Sequence, residues 1–126
     1  MTGFYKENFI DETSIAASVA GTRGVKVGGS LGHVYAEVRA GKGGLSLAEG
    51  KKLTVTTKEC DTANGTYAAT GVTVVRTMAA ATTFAEDEIV AEVFFPTYSK
   101  AYAKVELATD DTAASGAVKV IPAVMG

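Results

Sequence analysis

The feature that most constrains this chain is the recurrence of short segments rich in Val, Thr, Ile and aromatic residues, set apart by clusters of Gly, Asp, Asn and Ser. β-Branched and aromatic side chains suit a pleated, half-buried surface, and turn residues at this spacing leave little room for helices between strands. In residues 33–39, Val34, Ala36 and Val38 fall on one face while Tyr35, Glu37 and Arg39 fall on the other. That period of two is the mark of a strand buried on one side. Leu53, Val55 and Thr57 alternate in the same way with Thr54, Thr56 and Lys58. Asn64-Gly65 then predicts a hairpin turn, because both residues tolerate positive φ, within a hairpin running from about Leu53 to Thr70.

Residues 72–76 continue the strand pattern, and the Ala-rich stretch 77–84 before Glu86-Asp87-Glu88 reads as a loop with room for one helical turn. Ile89, Ala91, Val93 and Phe95 alternate with Val90, Glu92 and Phe94, so this strand is apolar on much of both faces and is expected to be central in its sheet. Pro96 ends it. Ala101, Ala103, Val105 and Leu107 oppose Tyr102, Lys104 and Glu106, and a last strand over residues 117–121 is expected to pair with that segment as an antiparallel hairpin. About eight strands with short connections predict an antiparallel β-sandwich, with a jelly roll as the preferred wiring. The Cys and Trp marks of immunoglobulin domains are missing, since the chain has no Trp and one Cys. Residues 1–20 mix Phe4, Tyr5, Phe9 and Ile10 with charges and then small residues, and read as an N-terminal arm before a single domain over residues 21–126.

Composition narrows function more than it assigns it. With 126 residues, 47% hydrophobic and 21% charged, the chain has the balance of one globular domain. The net charge of −2 lacks the basic excess that nucleic-acid binding needs, so no nucleic-acid partner is expected. No apolar run is long enough to span a bilayer, so no membrane partner is expected either. Cys60 is the only cysteine, which leaves no intrachain disulfide and no cysteine-based zinc site. Acidic and polar residues stand at the start where a signal peptide needs a basic and then an apolar region, so synthesis in a reducing cytoplasm is expected.

Catalytic chemistry finds few candidates. His33 is the only histidine; Ser30 lies three residues away without a nucleophile-elbow pattern, and Cys60 precedes a turn with the character of a plain free thiol. The glycines of residues 28–32 and 41–44 match neither a P-loop nor a dinucleotide fingerprint, and turn formation accounts for them. Glu86-Asp87-Glu88 and Asp110-Asp111 raise calcium binding or paired-acid hydrolysis, but the EF-hand spacing is absent and solvated loop charge is the plainer reading. Asn64-Gly65-Thr66 matches a glycosylation acceptor without a secretory context. No catalytic, metal or cofactor residue is therefore expected, and the protein is not read as an enzyme. Phe4, Tyr5, Phe9, Ile10 and Tyr98 are the candidate interface residues, because aromatic side chains are enriched where proteins meet.

The run over residues 9–22, followed by a Gly-rich turn and the strand from Val34 to Ala40, resembles the opening of the cement or decoration proteins of tailed-bacteriophage capsids. Residues 54–62 look like that family's strand leading to an acidic hairpin loop, and residues 102–107 with 116–120 look like its final hairpin. The Gly-rich stretch 24–32 and the Ala-rich loop 79–85 depart from the pattern. The resemblance implies a jelly-roll virion protein, made in the host bacterial cytoplasm, that binds the capsid exterior. Its implied partners are the major capsid protein and further copies of itself, as a dimer or trimer. Two other classes compete: a carbohydrate- or receptor-binding β-sandwich of a phage tail or fibre, which needs an exposed aromatic platform, and a jelly-roll hydrolase, which generally needs several His ligands.

Overall fold

The computed structural model describes residues 8–15, 18–19, 23–27, 34–95 and 100–124. Among these residues nine strands run in chain order: β1 (Ile10–Ser14), β2 (Val25–Lys26), β3 (Val34–Leu47), β4 (Lys52–Cys60), β5 (Ala68–Thr77), β6 (Thr82–Phe84), β7 (Ile89–Phe94), β8 (Tyr102–Thr109) and β9 (Ser115–Val124). There is no helix among the described residues. Every pairing is antiparallel. One sheet has the order β1-β9-β3-β6, with β7 also paired to β3, and the other has the order β2-β8-β4-β5. The two sheets pack face to face as a β-sandwich. Counted as one interrupted strand, β6 and β7 make the chain-order ranks 1-8-3-6 and 2-7-4-5, the wiring of a jelly roll.

The alternation seen in the sequence sets the core. Val34, Ala36, Val38 and Ala40 from β3, Leu53 and Val55 from β4, Ala103, Val105 and Leu107 from β8, and Val118 and Val120 from β9 are all buried between the sheets. Apolar burial of this kind, at about 25 cal/mol per Å², is the main force holding the two sheets together. Thr57, expected on the inner face, is indeed buried.

Four expectations about the placement of segments need correction. The segment before residue 21 is not merely an arm: Ile10–Ser14 is a strand against β9, Phe9 and Ile10 lie in the core, and Ser18 bridges Ala108 beside β8. Residues 82–84 form a short strand on β3, with no helical turn nearby, because β3 continues past residue 40 and offers them a partner. β8 and β9 are not a hairpin. Alternation reports that a strand has one buried face but not which of two facing sheets supplies it, and here β8 sits between β2 and β4 while β9 sits between β1 and β3. Finally, β7 is an edge strand among the described residues, where β3 is its one strand partner. A bulge adds to its inner face: Val38 pairs with Ala91 but Arg39 with Ile89, which turns the extra residue Val90 inward while Ile89 and Phe94 stay on the outer face.

The glycines of residues 41–44 form a bulge inside β3 where a turn was expected. β3 advances from Ala40 to Leu45 while β9 moves only from Val118 to Gly116. Gly44 has φ +86°, and a Cβ there would sit 2.5 Å from the Phe84 carbonyl oxygen. The bulge lets β3 pair with β7 along its first half and with β6 along its second. Gly71 serves β5 in the same way, with φ +92° where the register against β4 shifts between Thr56 and Lys58. The irregularity leaves the Val72 carbonyl facing inward, and the buried Thr57 hydroxyl donates to it at 2.9 Å. Thr57→Val keeps the volume but strands that acceptor, so unfolding in urea is expected to show a loss of about 1–2 kcal/mol with unchanged denaturant slope.

Candidate functional site

The outer face of the five-stranded sheet carries a cluster that the core does not require. Cross-strand partners share a face, so the pairs Tyr35 with Phe94, Glu37 with Glu92 and Arg39 with Ile89 place these six side chains together over β3 and β7. The Tyr35 and Phe94 rings stack with centroids 4.7 Å apart and planes 20° from parallel. Phe94 remains 46% exposed and Ile89 39%. Beside them Arg39 donates to Glu37 from Nε at 3.1 Å and from Nη2 at 2.8 Å, and the Tyr35 hydroxyl donates to the second Glu37 oxygen at 3.2 Å. Glu37 is only 4% exposed although it points away from the core. Its neighbours cover it. Partial burial, followed by the hydrogen bond and the charge of Glu37, pushes the Tyr35 phenol up from its ordinary value. Aromatic rings and a fixed guanidinium on a flat, partly apolar surface form a rigid patch suited to contact with another macromolecule.

Both acidic clusters are structural acceptors for loops. The Asp111 carboxylate accepts from the Ala48 and Ala113 amides at 2.8 and 2.9 Å, and Asp110 accepts from the Lys52 amide at 2.8 Å. Together they tie the β8–β9 connection to the β3–β4 connection where both cross between the sheets. The amide of Lys52 holds the Asp110 carboxyl below the usual range. In the other cluster, Glu86 accepts from the Gly43 amide at 3.3 Å and Glu88 from the Ala85 amide at 3.0 Å. Asp87, at φ +68°, pairs with Lys119. Among the described residues no group of three or more His, Cys, Asp or Glu is placed to hold a metal ion. Cys60 is buried. Asn64-Gly65 lies in the exposed connection between β4 and β5, so the expected hairpin forms, but the connection runs over residues 61–67 and neither residue takes the positive φ that the tight turn required.

Of the interface residues expected from the sequence, Phe9 and Ile10 are fully buried in their own domain, with the Phe9 ring 5.3 Å from that of Phe95. Core packing uses the apolar surface that an interface would need. Phe4, Tyr5 and Tyr98 lie outside the described residues, as do Ser30, His33 and the glycines 28–32. The residues that sequence reasoning passed over are Ile89 and Phe94, and a signal for them existed. A strand apolar on both faces is either central between two covered faces or at an edge with a sticky outer face, and its own residue pattern does not separate the two. Protein-family models, curated proteins and solved structures all give no match to this chain.

Two predictions arise from this face. Arg39→Ala leaves a covered carboxylate with the Tyr35 hydroxyl as its remaining side-chain partner and is expected to cost about 2 kcal/mol in urea unfolding, part of which Glu37→Gln restores in the double variant. The hydrogen bond and charge of Lys119 lower the Asp87 pKa in the folded state, so this pair contributes stability above the ordinary carboxylate range and loses it as pH falls through the folded value. Asp87→Asn tolerates the same left-handed backbone. It is expected to melt below the wild type near neutral pH, with the gap closing as the pH is taken down through about 4 toward 2 in a thermal-melt series.

Proposed function

We propose that this chain is a virion structural protein that binds the outside of a bacteriophage capsid as a cement or decoration protein. The observation that carries the reading is the outer patch on β3 and β7, where Phe94 stacked on Tyr35, exposed Ile89 and the fixed Arg39 form a partly apolar surface with a defined shape. Supporting it are the jelly-roll wiring and the likeness of residues 9–22, 34–40, 54–62, 102–107 and 116–120 to capsid cement proteins. In this reading the patch docks on the major capsid protein, and symmetry multiplies a modest contact into firm attachment over the shell. The work is adhesive, and the domain serves as a rigid support for the face.

A second reading, a carbohydrate- or receptor-binding module of a tail or fibre, draws on the same Tyr35–Phe94 stack, because sugar rings pack on aromatic faces beside carboxylates and guanidinium groups. A glycan array separates the two: the capsid reading expects no specific glycan. Purified protein is expected to sediment with virion capsids in a fixed ratio to the major shell protein, and the Ile89→Asp, Phe94→Asp double variant is expected to bind about tenfold or more weakly while melting close to the wild type. Retention of the wild type in the supernatant defeats the capsid reading.

A further inference from the structure

The free edges of the two sheets are treated unequally. Exposed strand edges present unpaired amides and carbonyls to any passing strand, and folded proteins blunt them with shortness, charge, bulges or inward-pointing cations. β2 has only two residues. β1 has five, carries Asp11 and Glu12, and its register breaks between Ile10 and Thr13. The β6–β7 edge is split by the turn at Asp87, and its Val90 carbonyl is taken by the Arg76 guanidinium.

β5 differs from these three. It is ten residues long, pairs among the described residues with β4 alone, and contains no Asp, Glu, Lys or Pro. Beyond the bulge at Gly71, residues 72–77 run as Val-Thr-Val-Val-Arg-Thr, almost wholly β-branched. Their one charge is turned away from the free edge, since Arg76 reaches across to β7 and stacks over the Phe84 ring at 5.0 Å. Val75, on the outer face of this strand, is 52% exposed, the most exposed large hydrophobic residue among those described.

We infer that β5 is the dimerisation edge of this protein, and that its occupant is β5 of a second copy, paired antiparallel about a two-fold axis through Val74. A two-fold contact must be self-complementary. This strand satisfies that condition: with Val74 opposite Val74, Thr73 meets the partner's outward Val75 position, and no like charges oppose each other at the centre. The half-buried Val72 and Val74 extend the inner core across the junction, and the two four-stranded sheets become one continuous sheet held by main-chain hydrogen bonds. A foreign peptide would be selected by charge or by side-chain pockets, and the strand offers neither. The inference rests on reading the chain as an assembly protein and leaves the β3–β7 patch free for the capsid.

The test uses the purified full chain without capsids, so that its failure and failure of capsid attachment are separate results. Sedimentation equilibrium over micromolar concentrations is expected to give a dimer for the wild type and for Glu49→Lys, a charge control on an exposed turn. Thr73→Lys with Val75→Lys places like charges opposite each other across the axis and is expected to give a monomer with an unchanged far-ultraviolet spectrum. Independently of any variant, hydrogen exchange is expected to show protection of the residue 72–77 amides that falls on dilution. A monomeric wild type, an odd-numbered oligomer, a dimer indifferent to the two lysines, or edge amides whose exchange ignores concentration overturns it.

Discussion

The pairing of β3 with β9 is the constraint on which the rest of this molecule depends. It runs from Val34 opposite Val124 to Ser46 opposite Ser115, so the last strand of the chain closes on one of the earliest. Ladders of this kind are non-local, and the entropy of closing long loops must be met before any of their contacts form. Once made, the ladder fixes both sheets. It provides the inner row Val34, Ala36, Val38 with Val118 and Val120, and it presents Tyr35, Glu37 and Arg39 outward in register with β7.

The glycine bulge within β3 reconciles that long strand with a small sandwich. A straight strand would carry β6 and β7 along a single line, whereas the interruption at residues 41–44 lets the turn at Asp87 fold back onto Ala40. Carboxylates from two directions, Glu12 and Glu86, receive the Lys42 and Gly43 amides that the bulge frees from the ladder. The acidic residues therefore belong to the backbone accounting of the fold. Among the described residues no buried side-chain nitrogen or oxygen is left without a partner.

The same economy explains why the surface features stand out. When loop carboxylates, the Arg76 guanidinium and the Thr57 hydroxyl each satisfy a backbone group, the features that serve no internal purpose are the stacked rings on β3 and β7 and the free edge of β5 over residues 72–75. An apolar surface that the core does not use, and a regular strand edge left open beyond its bulge, gain a physical reason when another macromolecule covers them.

The amino-acid sequence by itself determined the all-β class, the inner faces of β3, β4 and β8, and the presence of a hairpin connection around Asn64-Gly65, because period-two burial and clusters of turn-forming residues are local properties that each segment expresses on its own. Tertiary structure alone decided the rest. The separation of β8 from β9, the edge position of β7, the conversion of the residue 41–44 glycines from turn to bulge and the withdrawal of Phe9 and Ile10 into the core all depend on which distant strand arrives alongside. The physical reason is that a sandwich has two equivalent inner faces, and a strand's own pattern records that it is buried without recording against what.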